Sequence, residues 1–97
     1  MNKLVISKRA LSEIEKSFLW YQKGSELVAE KFRFHLENKF SELSFYPSRY
    51  AEKKSPYREV VLNKFPFSIV YEYLPKKNIV LIKSVFHFKR NPLKKHK

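Results

Sequence analysis

The sequence predicts one α+β domain in which a helical hairpin packs against a β-sheet. Three observations support this: a short β-branched run opens the chain, two long segments carry apolar residues at helical spacing, and three strand-like segments follow. The 97 residues, 43% hydrophobic and 16% aromatic, can bury one core but not two. We expect residues 1–97 to form a single domain that folds without a cofactor.

The first strand and the first helix are predicted to meet at a capping serine. Residues 3–7 are short and apolar, as in a strand, and Ser7 can cap the helix that follows. Apolar residues then recur every three or four positions and are expected to face the core: Leu11, Ile14, Phe18 and Tyr21. We also expect Trp20 in the core, because aromatic residues beside a helical stripe are usually buried.

Gly24, the only glycine in the chain, is predicted to mark the end of this helix. We expect it in the left-handed conformation that often follows a helix, because glycine adopts it without a steric penalty. Ser25 can then cap a second helix, whose apolar stripe is Val28, Phe32, Leu36, Phe40 and Leu43. Pro47 disfavours helical geometry at Tyr46, where this helix is expected to end.

Residues 57–62, 67–74 and 78–86 are predicted to be strands, since they are rich in aromatic and β-branched residues. The last is apolar on both faces and is therefore expected to be central. Short connections with turn residues predict a three-stranded antiparallel meander, which gives the order β-α-α-β-β-β and an antiparallel sheet of about four strands. Residues 48–56 are expected to form a basic loop, and 89–97 a basic tail.

The charge of the chain predicts an anionic partner. Twenty-one Lys and Arg residues against nine Asp and Glu leave a net charge of +12, which attracts nucleic acid, an acidic protein or an anionic membrane surface. The absence of cysteine excludes disulfides and thiol chemistry, and the three histidines lack the spacing of metal ligands. No segment has the character of a signal peptide or a membrane span, so we expect a cytoplasmic protein without a membrane partner.

Motifs in the C-terminal half carry a family resemblance. The segment YREVVL at 57–62 is followed by KFPFSIVY at 64–71, and the chain closes with VFHFKRNP at 85–92. With the element order and the basic charge, these motifs resemble the RelE/ParE superfamily, the toxins of bacterial type II toxin-antitoxin modules. The resemblance implies a growth-inhibiting toxin that is neutralised by a cognate acidic antitoxin.

The resemblance implies one of two targets. RelE-like members cut messenger RNA on the ribosome without a metal, using basic residues around the phosphate, whereas ParE-like members poison DNA gyrase. The resemblance matches Arg58 to one basic residue of RelE. At or near the positions of three other basic residues of RelE, this chain has the uncharged residues Val60, Ser68 and Phe88. His87 is similar to the ending of ParE-like members. A gyrase-like or undefined target is therefore favoured; the alternatives are a RelE-like endoribonuclease, and a nucleic-acid-binding module or degenerate toxin.

The candidate catalytic residues are Arg58 and His87, and each has a structural alternative. Arg58 shares a strand face with apolar residues and is equally suited to a structural role, while His87 suits either a proton shuttle or a satisfied strand end. Basic residues expected to contact nucleic acid or the target are Arg49, Lys53, Lys54, Lys89 and Arg90, with Lys94, Lys95 and Lys97 in the tail. No role is predicted for Glu13, Glu15 or Glu30.

Overall fold

The structure is a computed structural model that describes residues 1–90. Its elements are β1 (Lys3–Ile6), α1 (Lys8–Gly24), α2 (Glu26–Phe45), β2 (Glu52–Lys54), β3 (Tyr57–Val61), β4 (Phe67–Leu74) and β5 (Ile79–His87). A 3-10 turn at Pro75–Lys77 joins β4 to β5. The α+β prediction is confirmed. The segment 91–97, which includes the predicted contacts Lys94, Lys95 and Lys97, lies outside the described residues.

All five strands form one sheet in the order β1-β5-β4-β3-β2. The antiparallel meander β3-β4-β5 is as predicted, and β5 is an inner strand, as predicted, because it lies between β1 and β4. The sheet is mixed, however, because β1 pairs with β5 in parallel. The sheet has one strand more than predicted: β2 lies in the segment that was expected to be a loop. Its three exposed residues carry no apolar signal, and only the free edge of β3 makes them a strand.

Two serines organise the helical hairpin. The Ser7 side chain accepts a hydrogen bond from the Ala10 backbone N–H (3.1 Å) and caps α1, as predicted. Ser25 caps α2 in the same way and also ends α1, because its own N–H donates to the Tyr21 carbonyl (2.9 Å). Helix α1 ends at Gly24, as predicted, but the predicted left-handed conformation of this residue is wrong, because Gly24 has no positive φ. The chain reverses at Ser25, whose extended backbone (φ −165°) needs no glycine.

The core lies between the hairpin and one face of the sheet. At its centre the Phe32 ring lies 4.9 to 5.5 Å from the rings of Tyr21, Phe65 and Phe67. Helix α2 buries Phe32, Leu36, Phe40 and Leu43, as predicted, whereas Val28 of the predicted stripe is only half-buried and its neighbour Ala29 is fully buried. None of the helices within residues 1–90 has the length and apolarity needed to cross a membrane.

The buried face of α1 begins one residue earlier than the sequence predicts. Ala10 is fully buried, and Ile14, Phe18 and Tyr21 follow it on the same side of the helix. Leu11 and Trp20 were expected in this face, but they are 46% and 55% exposed. Each directly follows or precedes a core-facing residue, which turns it by about 100° around the helix axis. Trp20 therefore lies on the flank of α1.

Helix α1 completes the edge of β5. Strand β1 ends at Ile6, and from Lys83 onward the start of α1 takes its place: Ser7 Oγ donates to the Lys83 carbonyl (3.0 Å). The Glu13 carboxylate accepts hydrogen bonds from Val85 N–H (2.9 Å) and Ser84 Oγ (2.9 Å). The sequence predicts no role for Glu13, whereas in the structure it fixes α1 against β5.

Replacing Gly24 with alanine tests the corrected position of this residue. An added Cβ meets no atom within 4 Å, so Gly24→Ala is expected to raise the free energy of unfolding by about 0.5–1 kcal/mol, because alanine loses less backbone entropy in a helix. Urea denaturation measures this. A loss of about 1 kcal/mol would instead indicate a left-handed Gly24. Ser25→Ala, which removes the cap of α2, is the control expected to destabilise by about 1 kcal/mol.

Candidate functional site

The predicted site residues form two groups at opposite ends of the sheet. Strands β3 and β5 run in the same direction, so the start of β3 lies far from the end of β5. Arg58 pairs with Tyr71 on β4, and His87 pairs with Phe67, four residues along the same strand. At about 3.3 Å per residue these positions are about 13 Å apart along β4. The structure does not bring Arg58 and His87 into one site.

Arg58 anchors the connection between α2 and β3. Its side chain is 18% exposed and faces the helices. Its Nη1 donates to the Tyr50 carbonyl (2.6 Å), and its Nη2 lies 3.8 Å from Glu52 Oε2. Its buried Nε has no hydrogen-bond partner among the described residues. These contacts are the ones expected of the structural alternative for Arg58.

Tyr71, which pairs with Arg58 across β3 and β4, holds the same connection through a second hydrogen bond. This residue is fully buried, and its hydroxyl donates to the Pro47 carbonyl (2.8 Å). Burial raises the pKa of Tyr71 to about 12, although the Arg58 charge acts in the opposite direction. The hydroxyl therefore remains a donor throughout the physiological pH range.

Arg49 belongs to a charge network around Glu42. The Glu42 carboxylate accepts hydrogen bonds from Tyr50 Oη (2.6 Å), Arg49 Nη1 (2.9 Å) and Lys39 Nζ (3.0 Å). Burial alone would raise the pKa of Glu42, but these hydrogen bonds outweigh it and lower the pKa to about 2. The Arg49 guanidinium also lies 4.7 Å from the centre of the Tyr46 ring. Arg49 therefore has structural contacts, while its side chain remains 51% exposed.

Lys53 and Lys54 differ from Arg49 in being exposed side chains of the edge strand β2. They carry two positive charges at the end of the sheet that holds Arg58. Their exposure leaves both ammonium groups accessible to an anionic partner.

The outer sheet face, defined here as the face turned away from the helices, carries a carboxylate at its middle. Val60 points to the core, so its neighbour Glu59 points outward, and the Ser68 hydroxyl donates a hydrogen bond to the Glu59 carboxylate. Val60 and Ser68 are two of the uncharged residues that the resemblance aligns with or near basic residues of RelE. Val60 is 6% exposed and Ser68 is 1% exposed.

The second group of candidate residues borders a cleft between α1 and β5. This α1–β5 cleft has a volume of about 310 Å³ and is lined by Glu13, Lys16, Ser17, Trp20, Val85, Phe86, His87 and Arg90. The Arg90 guanidinium lies 4.5 Å from the centre of the Trp20 ring. Of the predicted basic contacts, Arg90 lines the cleft and Lys89 is exposed next to it.

His87 lines this cleft with one ring nitrogen already hydrogen-bonded. Its Nδ1 accepts a hydrogen bond from the Arg90 backbone N–H (3.1 Å). Burial lowers the pKa of His87 from its ordinary value, and the positive charges of Arg90 and Lys89 lower it further. In the neutral ring, where Nδ1 acts as the acceptor, the hydrogen is assigned to Nε2. An Nε2–H in this tautomer can donate a hydrogen bond to a ligand.

The sequence predicts no role at a site for the α1 residues of this cleft, although their spacing contains the signal. Glu13, Lys16, Ser17 and Trp20 occupy positions i, i+3, i+4 and i+7, which share one face of a helix. The assignment of Trp20 to the core concealed this second face. Among residues 1–90, no group of three or more His, Cys, Asp or Glu side chains is arranged to hold a metal ion.

The fold is shared with the E. coli toxin RelE. The toxin in the intact E. coli RelBE toxin-antitoxin complex superposes with a TM-score of 0.60 at 22% identity, covering 88% of this chain and 94% of that one. The isolated E. coli RelE toxin gives a TM-score of 0.61 at 20% identity, covering 97% of each chain. A RelE mutant bound to a peptide of its antitoxin gives 0.59 at 20% identity, covering 99% of this chain and 95% of that one.

Family membership follows from the sequence itself. No curated protein is similar enough to count as a relative. The family model described as the ParE toxin of the type II toxin-antitoxin system parDE matches residues 4–92, which is nearly the whole chain. The match includes both helices, all five strands and the α1–β5 cleft. The chain therefore belongs to the ParE toxin family of type II toxin-antitoxin systems.

Proposed function

We propose that this ParE-family toxin arrests growth by binding a protein target of the gyrase class rather than by cutting RNA. The observation that carries the proposal is the Glu59–Ser68 pair on the outer sheet face. RNA cleavage without a metal requires cations around a phosphate whose negative charge increases in the transition state. The Glu59 carboxylate adds a negative charge to this face, which is unfavourable for that phosphate, and Val60 is buried in the core and supplies no cation.

The target contact in this proposal lies where exposed cations remain. Lys89 and Arg90 follow the end of β5 beside His87, and they form the main contact. Lys53 and Lys54, on the edge strand β2, form a second contact at the other end of the sheet. Gyrase acts on DNA, so a basic toxin surface also suits the anionic surroundings of such a target.

A cognate acidic antitoxin neutralises the toxin in this proposal. The net charge of +12 favours an acidic partner, because complementary charge speeds association and suppresses other partners. E. coli RelE, which shares the fold, is bound to its antitoxin in two of the similar structures. The cytoplasm, which contains gyrase and ribosomes alike, is the proposed location.

A RelE-like ribonuclease is the second candidate, and the α1–β5 cleft is the observation in its favour. His87, Arg90 and Lys16 all line this cleft, so an imidazole and two cations border one cavity. The occupied Nδ1 of His87 argues against a general base. A nucleic-acid-binding module without catalysis, or a degenerate toxin, would share the same charge.

Induction of the protein in a bacterium separates these candidates. The proposal predicts growth arrest without new messenger RNA 5′ ends in translated codons, and inhibition of DNA supercoiling when purified toxin is added to gyrase. Co-expression of the neighbouring reading frame for an acidic protein is expected to relieve the arrest. New 5′ ends within codons would contradict the proposal in favour of a ribonuclease. Absence of arrest would indicate a binding module or a degenerate toxin.

Arg58 is proposed to have a structural role, in which it holds the segment between α2 and β3 in place. Arg58→Ala is expected to lower the free energy of unfolding by about 1–3 kcal/mol and to weaken growth arrest in parallel, because a buried charge-assisted hydrogen bond is lost. Lys54→Ala, on the neighbouring strand, is the control and is expected to change stability by less than about 0.5 kcal/mol. Loss of toxicity with unchanged stability would instead assign Arg58 a direct role at the target.

A further inference from the structure

We infer that the α1–β5 cleft binds one nucleotide unit of a single-stranded nucleic acid. This goes beyond the proposed protein target and does not depend on it, because it concerns a ligand of the cleft and not the cause of growth arrest. The inference rests on an exposed aromatic ring, on the cations around it and on the direction in which the only carboxylate of the cleft points.

The exposed Trp20 ring is the stacking surface of the cleft. Trp20 is 55% exposed at the border of the cleft, so its ring is accessible to a ligand there. The planar Arg90 guanidinium already lies over this ring at 4.5 Å. Indole rings and guanidinium planes are the two side-chain surfaces on which bases stack most readily. A base can therefore extend the Trp20–Arg90 stack.

The charges around the ring suit a phosphate. Lys16 and Arg90 line the cleft and both are exposed. Glu13 also lines it, but its carboxylate is turned to β5, where it accepts hydrogen bonds from Val85 N–H and Ser84 Oγ. The cations near the ring are consequently left to an external anion. The Nε2–H of His87 and the hydroxyl of Ser17 add neutral donors to the same cleft.

The combination of an aromatic ring and cations in the cleft favours a nucleotide over an acidic peptide. A carboxylate side chain would engage the cations but would leave the Trp20 ring uncovered. A nucleotide combines a flat aromatic surface with a phosphate and so uses both features. The volume of about 310 Å³ lies at the lower end of the range for ligand pockets, about 300–1,000 Å³, which suits a single unit of a strand.

Trp20 reports directly on its own occupancy because it is the only tryptophan in the chain. Titration of the full chain with a short oligothymidylate is expected to quench the Trp20 fluorescence in a saturable manner. Arg90→Gln and Lys16→Gln are each expected to weaken binding by about tenfold and to reduce the slope of log affinity against log salt by about one. Lys77→Gln, an exposed lysine in the turn before β5, removes the same charge far from the cleft and is the matched control.

A poly-glutamate peptide of equal net charge separates nucleotide recognition from simple charge attraction. The inference predicts that this peptide neither quenches Trp20 nor displaces the oligothymidylate at equal concentration. Quenching by both polyanions, or an equal loss of affinity in Lys77→Gln and Arg90→Gln, would overturn the inference in favour of a general anionic surface effect. No quenching by the oligothymidylate would overturn it as well.

Discussion

The hydrogen bonds from Val85 N–H and Ser84 Oγ to the Glu13 carboxylate complete the edge of β5 beyond the end of β1. Strand β5 is central to the sheet and pairs with β4 along its whole length, but β1 covers only its first half. A backbone N–H in this position needs an acceptor, since an unsatisfied buried donor costs about 1–3 kcal/mol. By supplying the acceptor from a helix, Glu13 sets the position of α1. The placement of Trp20 beside the end of β5, and with it the α1–β5 cleft, depends on this contact.

Local signals in the sequence predicted most of the fold. The caps at Ser7 and Ser25 are short-range side-chain interactions, so the residue type and the following helical pattern were enough to predict them. The central position of β5 followed from its two apolar faces. The parallel pairing of β1 and the existence of β2 were not predictable in this way, because both depend on an edge supplied by a distant segment. Gly24 shows a different limit. A glycine at the end of a helix suggested a left-handed residue, but the chain changes direction at Ser25, whose backbone is extended.

The candidate site was predicted only in part. Arg90 and His87 line a cleft, Lys89 is exposed next to it, and the His87 ring lies 5.1 Å from the core residue Phe67. Arg58 does not join this cleft, because the direction of the strands places it at the other end of the sheet. Trp20 was assigned to the core by its residue type, but it lies about 100° around the helix axis from its neighbour Tyr21, which packs against the core. Ile14, Phe18 and Tyr21 face the core as their spacing predicts, so the error lay in adding Trp20 to that stripe.

Under the proposed function, the working surface of the toxin is the α1–β5 cleft and not the outer sheet face, which carries the Glu59–Ser68 pair. The most direct test compares growth arrest by two single variants with arrest by the unmodified toxin, all three induced to the same protein level. Arg90→Gln removes one cation from the cleft, and Glu59→Gln removes one charge from the outer face while keeping an acceptor for Ser68. The account predicts that Arg90→Gln weakens growth arrest and that Glu59→Gln leaves it at the level of the unmodified toxin. Full arrest by Arg90→Gln together with loss of arrest in Glu59→Gln would contradict it.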